Sequence, residues 1–217
     1  MIISVTNLKG GVGKSTLSQN LAIAFALDGK KICIADTDSE QQTSVKWSSM
    51  RGDDMLQMPV YLINPEKITE EILTLQKRYE IVLIDGTPAL TELTTRIVIL
   101  SDYVFVPVLP SIADVWALDT FLKRFKEAQL TKESMGASVK IALILNRYSD
   151  KTNLDKEVQE AIKGFDLNLL ENKISNLVAY REATAQGLGV LEMKDKKTKT
   201  ELSNLYLEIK KFIKWAK

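Results

Sequence analysis

A glycine-rich segment with two lysines carries the strongest chemical signal in the sequence. Residues 9–16 read Lys-Gly-Gly-Val-Gly-Lys-Ser-Thr and lie between an apolar run and a helical pattern. Glycines let backbone N–H groups approach a phosphate, and the start of the following helix adds a favourable dipole. Lys14 can reach the β- and γ-phosphates of a nucleotide, and the Ser15 hydroxyl can ligate Mg²⁺. The spacing predicts a phosphate-binding loop with contacts from Gly10, Gly11, Val12, Gly13, Lys14, Ser15 and Thr16.

A plain glycine turn between a strand and a helix is the alternative for this segment. It would explain the first glycine pair, but not the Gly-Lys-Ser at 13–15. Leu8 stands where the ordinary loop has a glycine, so the strict pattern fails by one residue. We favour the phosphate loop because its lysine and serine open the following helix, which is the context that nucleotide binding requires.

Aspartates follow two apolar runs and can complete a nucleotide site. Asp85 ends the run 81–84, whereas Asp36 and Asp38 follow the run 32–35. The carboxyl ends of parallel strands meet at one edge of a sheet, where doubly wound folds bind their ligands. We therefore expect Asp85 to point toward the phosphates and to hold Mg²⁺, directly or through water. Taken alone, the other two aspartates are equally suited to cap a helix.

Composition excludes several other kinds of chemistry. The sequence contains no histidine, which removes histidine general bases, serine–histidine triads and the usual zinc ligands. Its single cysteine, Cys33, lies in an apolar run and is expected to be a buried small hydrophobe. The formal net charge is +1, so affinity for nucleic acid would have to come from a local basic patch.

Short β-branched runs alternate with amphipathic stretches, which is typical of a parallel sheet covered by helices. The predicted strands are 2–6, 32–36, 60–64, 81–85, 103–109 and 139–146. The predicted helices are 14–27, 66–77, 114–132 and 200–217, and Gly29 stands where a helix C-cap belongs. We expect an α/β fold with a doubly wound, mostly parallel sheet and helices on both faces. Residues 1–217 would form one such P-loop domain.

The lysine before the glycine pair resembles the deviant Walker A loop of the ParA/MinD ATPases. In that family the glycine replaced here by Leu8 is often absent. The resemblance implies that Lys9 crosses the interface of a nucleotide-sandwich homodimer to the phosphates of the other copy. A cation supplied by a neighbour stabilises charge on the γ-phosphate, as an arginine finger does. ATP and Mg²⁺ are the implied cofactors.

The segment after the second predicted strand resembles the switch I motif of the same family. By that resemblance Asp38 orients the attacking water, and Asp36 supports the metal region. Relatives usually continue Asp-x-Asp-Pro-Gln, whereas residues 38–42 here read Asp-Ser-Glu-Gln-Gln. The proline is missing and one residue is inserted, which bears on the switch geometry and on the hydrolysis rate.

The end of the last predicted strand resembles the Asn-Arg of the family, in which the asparagine contacts adenine. Asn146 holds that position, followed by Arg147. An amide side chain both donates and accepts, so it can read the edge of a base. A guanine-type Asn-Lys-x-Asp motif is absent at this strand end, which favours ATP over GTP. The alternative for Asn146 is a turn residue. Residues 101–108 and 177–190 also resemble segments of ParA proteins.

The leading hypothesis for function is plasmid or chromosome partition, as in the small ParA proteins without an N-terminal helix-turn-helix domain. The resemblance implies an ATP-dependent homodimer that binds DNA nonspecifically, and a ParB-like centromere-binding partner that stimulates hydrolysis. The basic residues available for DNA are Lys194, Lys196, Lys197 and Lys199, with Arg181 nearby. The alternative is a solvated face balanced by Glu192, Asp195 and Glu201.

Two other classes of function remain open at this point. A MinD-like membrane-surface switch would use the apolar stripe of residues 202–213, with Trp215 as an interfacial anchor, but we favour a stripe that packs the last helix. Positioning of another cargo would use the same nucleotide site. Trp116 is expected to pack in the core, with a dimer or partner surface as the alternative. No targeting segment precedes the first strand and no apolar stretch reaches ~20 residues, so we expect a cytoplasmic protein. It would be nucleoid-associated if the partition hypothesis holds.

Overall fold

The computed structural model describes residues 1–88, 92–149, 153–165 and 167–214. Its strands are β1 (Ile2–Val5), β2 (Ile32–Asp36), β3 (Val60–Leu62), β4 (Ile81–Asp85), β5 (Tyr103–Val108), β6 (Lys140–Leu145) and β7 (Asn168–Leu169). Its α-helices are α1 (Lys14–Leu27), α2 (Thr43–Ser49), α3 (Ile68–Gln76), α4 (Glu92–Leu100), α5 (Ile112–Ser134), α6 (Asn153–Lys163), α7 (Val178–Ala185) and α8 (Lys196–Phe212).

The seven strands form one parallel sheet in the order β3-β2-β4-β1-β5-β6-β7. Because all strands run the same way, their carboxyl ends lie along one edge of the sheet. The register places Asp36 directly opposite Asp85, and Val5 opposite Asp85 on the other side. The chain leaves β1 at that point, so the glycine-rich loop begins beside the two carboxylates.

Both faces of the sheet are covered by helices, as predicted. Every residue of β1, β2 and β4 is buried, which is why these strands read as continuous apolar runs. Ile3 packs in the cluster that contains residues of α1 and α8, whereas the neighbouring Ile2 packs in the cluster formed with α3 and α4. Successive residues of a strand point to opposite faces. The doubly wound α/β arrangement is therefore confirmed.

The predicted elements agree with the structure in position, and several boundaries differ. Helix α1 and strands β2 and β4 have the predicted bounds, and Gly29 follows the C-cap of α1 with φ +77°. Four predicted strands are one or two residues too long, at 2–6, 60–64, 103–109 and 139–146. The predicted helix 66–77 is a 3₁₀ turn at Pro65–Lys67 followed by α3, and α5 is longer than 114–132.

Core packing of Trp116 was a wrong prediction. Trp116 is 70% exposed, whereas Leu118 and Phe121 of the same helix are fully buried. A residue two positions before Leu118 lies ~200° around an α-helix, so Trp116 points away from the core. Leu118 and Phe121 lie on the buried face of α5, whereas Trp116 lies on its exposed face.

The last helix packs on the domain, which confirms the favoured interpretation of its apolar stripe. Helix α8 starts four residues earlier than predicted, and Leu202, Leu205 and Ile209 are fully buried. Tyr206 packs edge-on against Phe25 of α1 at 5.0 Å between ring centroids. Trp215 lies outside the described residues. Among the described residues, no helix has the length and apolar character of a bilayer span.

Candidate functional site

The glycine-rich loop leaves β1 and closes over its own lysine. Lys14 is the first residue of α1 and is only 6% exposed, and its Nζ donates to the carbonyl oxygen of Lys9 at 2.8 Å. The loop is tied to the sheet by Asn7, whose Oδ1 accepts from the Lys9 N–H at 3.1 Å. Asn7 in turn donates to the Pro107 carbonyl at 2.8 Å. Leu8, at the position of the missing glycine, packs partly buried against the core beside α5.

Gly13 is required by both its backbone and its surroundings. Its φ is +90°, a conformation that glycine adopts without the steric cost of a side chain. A Cβ at this position would lie 2.2 Å from Nδ2 of Asn146. That amide donates to the Val12 carbonyl at 2.6 Å, and Asn146 Oδ1 accepts from the Arg147 N–H at 2.9 Å. Asn146 therefore links the end of β6 to the glycine-rich loop by a hydrogen bond. The predicted contact of Asn146 with adenine stays a prediction.

Two neighbouring cavities meet at the loop. A cavity of about 180 Å³ is lined by the loop and by the switch-like segment, with Gly11, Gly13, Lys14, Ser15, Thr16, Asp38 and Gly86 among its walls. A cavity of about 310 Å³ lies beside it and is lined by Gly13, Thr16, Leu17, Asn146, Tyr180 and Arg181. Gly13, Thr16 and Arg147 border both cavities. The smaller cavity suits phosphates, and the larger one, with an asparagine amide in its wall, suits a base.

Two buried carboxylates lie opposite each other at the carboxyl ends of the neighbouring strands β2 and β4. Asp85 is 2% exposed; its Oδ1 accepts from Ser18 Oγ at 3.2 Å and its Oδ2 from Ser44 Oγ at 2.7 Å. Asp36 is 1% exposed; its Oδ2 accepts from the Ser44 N–H at 2.9 Å and its Oδ1 from the Asp38 N–H at 3.1 Å. The structure thus brings both aspartates together. Ser18 and Ser44 were not among the predicted site residues.

The electrostatics of this group favour a bound divalent cation. Burial, reinforced by the charge of Asp36, raises the pKa of Asp85 to about 7. Burial also raises the pKa of Asp36. Burial lowers the pKa of Lys14 to about 8, although the carboxylates of Asp85 and Asp38 oppose that shift. Mg²⁺ uses one or two carboxylates and keeps oxygen ligands from water and phosphate, and the Ser15 hydroxyl borders the same cavity. The residues present fit a magnesium ion.

Asp38 borders the phosphate cavity at the start of a closed turn. Its Oδ1 accepts from the N–H groups of Glu40 and Gln41 at 3.2 and 2.8 Å, so the inserted segment folds back on the aspartate. Gln42 then adopts φ +51°, which is uncommon for a residue with a side chain. The switch-like segment is therefore ordered around Asp38 without the proline of its relatives.

Hydrogen bonds join the ends of β2 and β4. Thr37 Oγ1 donates to the Asp85 carbonyl at 2.8 Å and accepts from the Thr87 N–H at 3.1 Å. A Cβ at Gly86 would lie 2.7 Å from Thr6 Oγ1 and 3.0 Å from the Val5 carbonyl, so only glycine fits there. The turn after β4 is therefore packed against β1 and hydrogen-bonded to the segment after β2.

Lys9 lies at the edge of the loop and pairs within its own chain. Its Nζ is 2.7 Å from Oδ2 of Asp114, which is 1% exposed in the first turn of α5. Asp114 also takes a short hydrogen bond from Ser111, the N-cap of α5. The other carboxylate oxygen, Oδ1, has no hydrogen-bond partner among the residues that the structure describes. Sequence reasoning missed Asp114; the Ser-x-x-Asp spacing marks a helix start, but it does not reveal the pairing with Lys9.

The acids expected to balance the basic segment near the C-terminus are mostly bound by other groups, although the charge of Lys197 also acts on Asp195. Lys194, Lys196 and Lys197 are exposed, and Lys199 is half-buried. Of the three acids in the balanced alternative, Glu192 binds Arg51, Asp195 caps α8 through the Thr198 N–H, and Glu201 accepts from Ser175 and Tyr180. In the part of the chain that the structure describes, none of the four lysines forms an ion pair.

The fold and the site together define the class of protein. A glycine-rich loop between β1 and α1, buried aspartates at the ends of neighbouring strands, and a parallel sheet with helices on both faces are the features of a P-loop nucleotide-binding domain. The chain belongs to the CobQ/CobB/MinD/ParA nucleotide binding domain family, whose model matches residues 3–190. ParA/MinD members of this family are ATPases.

Relatives by sequence include two positioning or regulatory proteins. The maintenance of carboxysome distribution protein A of Halothiobacillus neapolitanus is 27% identical over 194 residues, which cover 88% of this chain and 87% of that protein. The sporulation initiation inhibitor protein Soj of Bacillus subtilis is 23% identical over 230 residues, covering 88% and 90% of the two chains.

Solved structures confirm the fold. Apo McdA from Cyanothece superposes with a TM-score of 0.78 at 16% identity, over 96% of this chain and 98% of that one. MinD from Pyrococcus horikoshii, solved with Mg-ADP, gives a TM-score of 0.71 at 21% identity, over 98% and 96% of the chains. Structures of this fold are therefore known with magnesium and a nucleotide bound.

Proposed function

We propose that this chain is a ParA-like ATPase that closes into a homodimer on ATP, binds DNA nonspecifically in that state, and drives partition of a DNA or another cargo. The observation that carries the proposal is the phosphate cavity, which Lys14 and Ser15 border on one side and Asp38 on the other. That arrangement holds a triphosphate and a water within one site. Residues 1–217 act as a single domain in this proposal.

Each residue of the site has a role in phosphoryl transfer. The loop N–H groups and Lys14 bind the β- and γ-phosphates, which requires Lys14 Nζ to leave the Lys9 carbonyl. Mg²⁺ held by Ser15, with Asp85 and Asp36, would neutralise charge on the phosphates. Asp38 accepts a hydrogen bond from the attacking water and so orients it toward the γ-phosphate. These roles follow from proximity to the cavity together with the family resemblance.

Lys9 supplies the cation of the neighbouring copy. Its pair with Asp114 has to open before the lysine can cross to another nucleotide. The exchange is energetically reasonable, because Lys9 is 36% exposed and moves from one anion to a more highly charged one. ATP, with its γ-phosphate, offers more charge at that position than ADP. Dimer formation therefore depends on ATP.

Adenine would occupy the larger cavity. Asn146 stands in its wall with Leu17 and Tyr180, so an amide and apolar surface face the same space. To read the base, the amide of Asn146 would share or give up its bond to the Val12 carbonyl. Binding of adenine and ordering of the loop are coupled in this way.

DNA would bind at the exposed lysines that open α8. Lys196, Lys197 and Lys199 occupy the first turn of that helix, which contains no acidic residue. The helix dipole disfavours positive charge at a helix N-terminus. A stabilising effect on α8 therefore does not explain these three lysines. Phosphates of a duplex would satisfy these charges without regard to sequence, and counterion release makes such contacts strongly dependent on salt.

A partner would accelerate hydrolysis, which we expect to be slow in the isolated protein. The partner in the partition proposal is a ParB-like centromere-binding protein. Positioning of a different cargo is a second candidate, favoured by the similarity to proteins named for carboxysome distribution. A membrane-surface role has less support, because the apolar stripe of α8 is buried against α1.

ATP hydrolysis in the presence and absence of random-sequence duplex DNA tests the proposal. Wild type should hydrolyse ATP with Mg²⁺, and DNA should raise the rate. Lys14→Ala and Asp38→Ala should abolish turnover, whereas Lys126→Ala, an exposed lysine on α5, should behave as wild type. Absence of Mg²⁺-dependent hydrolysis in wild type with DNA present, or full activity of Lys14→Ala, would contradict it.

A further inference from the structure

Ser44 is a fully buried polar residue at the start of α2 and contacts both site aspartates. Its Oγ donates to Asp85 Oδ2 at 2.7 Å, and its N–H donates to Asp36 Oδ2 at 2.9 Å. The same Oγ accepts from Gln19 Nε2 at 3.3 Å. The one proton of the hydroxyl is therefore committed to Asp85.

The segment that carries Asp38 is held at both of its ends by these contacts. At its start, the Asp38 N–H donates to Asp36 Oδ1 at 3.1 Å. At its end, Ser44 binds Asp85 through the hydroxyl and Asp36 through the backbone. Between the two points lies the closed turn, which ends at the strained φ of Gln42. Bonds within the segment, such as that from the Gln42 N–H to the Asp38 carbonyl at 2.9 Å, close the turn, whereas the Ser44 hydroxyl ties its end to Asp85.

We propose that Ser44 is a positioning residue for ATP hydrolysis, which ties the segment bearing Asp38 to the carboxylate of Asp85. The inference rests on the proposed ATPase function of this site. Because Ser44 links the two segments, an ion or phosphate that fixes the position of Asp85 also fixes the position of Asp38. The residue that binds the metal and the residue that orients the water are therefore positioned together. The hydroxyl is what the role requires, because backbone bonds to Asp36 would survive its removal.

Packing alone does not account for the hydroxyl. Ser18 of α1 already donates to Asp85 Oδ1 at 3.2 Å, so one oxygen of that carboxylate is satisfied from the loop side. Ser44 satisfies the second oxygen from the switch side, and Gln19 links the two segments. Outer partners that orient a metal-binding carboxylate typically change metal affinity by 10–100-fold when removed. An alanine of nearly the same volume would fill the site and lose this link.

The test compares Ser44→Ala with Ser48→Ala, using the full chain. Ser48 lies one turn further along α2, and its Oγ donates to the Val45 carbonyl at 2.9 Å without reaching either aspartate. The first readout is the Mg²⁺ concentration that half-saturates binding of a fluorescent ATP analogue. Ser44→Ala should raise it ~10-fold, whereas Ser48→Ala should leave it unchanged.

The second readout separates positioning from binding in the hydrolysis reaction. At saturating Mg²⁺, Ser44→Ala should lower kcat ~10-fold or more with little change in KM, because Asp38 is misplaced while the loop still binds phosphates. Equal Mg²⁺ dependence and equal kcat in Ser44→Ala and wild type would overturn the inference. If wild type itself shows no hydrolysis, the proposed function fails, and the Mg²⁺ dependence of nucleotide binding alone decides the role of Ser44.

Hydrogen exchange provides a test that does not need the Ser44→Ala variant to fold. Asp85→Ala removes the acceptor of the Ser44 hydroxyl, which breaks the link from the other side. Amide exchange over residues 39–45 should then rise at least ~10-fold relative to wild type, whereas residues 68–76 of α3 should be unaffected. Unchanged exchange at 39–45 would overturn the inference.

Discussion

The ammonium group of Lys9 lies 2.7 Å from the buried carboxylate of Asp114, across a sequence separation of 105 residues. The lysine that resembles the cross-dimer residue of the ParA/MinD family is therefore held by its own chain. Its acceptor stands in the first turn of α5, two residues before the exposed Trp116. Release of Lys9 from Asp114 would leave the Asp114 carboxylate buried without its cation.

Removal of Lys9 should destabilise the protein without nucleotide. Lys9→Ala leaves the Asp114 carboxylate buried without its cation, and we expect a loss of ~1–2 kcal/mol, or ~3–6 °C in Tm. Asp114→Asn should cost less, because it removes the buried charge itself. Thermal unfolding followed by circular dichroism gives both values.

An exposed ion pair provides the control for Lys9. Lys123 and Asp119 form a pair of the same length, 2.7 Å, on the outer face of α5, with exposures of 75% and 50%. Lys123→Ala should change Tm by less than ~1–2 °C. A loss in Lys9→Ala no larger than in Lys123→Ala would mean that the Lys9–Asp114 pair contributes nothing.

Replacement of Gly13 should weaken nucleotide binding. The new Cβ would clash with Asn146 Nδ2, and the φ of +90° disfavours any side chain. Gly13→Ala should therefore weaken binding of a fluorescent ATP analogue by at least ~10-fold, which is ~1.4 kcal/mol. Gly136→Ala is the matched control, since Gly136 has φ +76° with nothing within 4 Å of its Cβ position. Near-normal affinity in Gly13→Ala would show that the loop does not bind the phosphates.

Stability without metal should depend on the protonation of Asp85. Its pKa is raised to about 7 by burial, above the ~3.9 of an unfolded chain, so the folded state binds more protons between those values. The contribution of Asp85 to the free energy of unfolding is therefore most favourable below about pH 4 and is lost as the pH rises to about 7. In EDTA, wild type should lose stability over that interval relative to Asp85→Asn. If the free energy of unfolding changed with pH in the same way in both proteins, ionisation of the buried Asp85 would not destabilise the fold, and the prediction would be contradicted.

Neutralising the lysines at the start of α8 should separate stability from DNA binding. Lys196→Gln with Lys197→Gln removes two cations from a helix N-terminus, which should raise stability by a few tenths of a kcal/mol. The same change should weaken DNA binding and reduce the slope of log K against log salt by ~2 for each chain. A matched change at Lys210 and Lys211, in the last turn of α8, should leave DNA binding intact. Unaltered DNA binding in the first variant would place the interface elsewhere.

The sheet and the phosphate loop could be predicted because their signals are local. Strands β2 and β4 are buried on both faces, so each reads as an uninterrupted apolar run that ends in aspartate. Helix α1 is bounded by Gly13 and Gly29, both at positive φ. These features need no knowledge of the rest of the chain.

Other elements could not be predicted because tertiary contacts hold them. Helix α2 has seven residues, three of them serines, and owes its place to the buried Trp47 and to the bonds of Ser44. The partner of Lys9 lies on a helix more than a hundred residues away, and no pattern links the two. Trp116 was wrongly predicted because an apolar residue in a helical pattern does not reveal which face is covered.

ATP-dependent retention on DNA distinguishes the proposed DNA-binding ATPase from a membrane-surface switch. Wild type would be sedimented with random-sequence duplex DNA or with anionic liposomes, in ATP or ADP, from about 50 to about 200 mM salt, beside Lys14→Ala. Wild type should be retained on DNA in ATP only, with log K falling linearly with log salt, and Lys14→Ala should not be retained. Retention that is equal in ATP and ADP, that ignores salt, or that occurs on liposomes but not on DNA would contradict it.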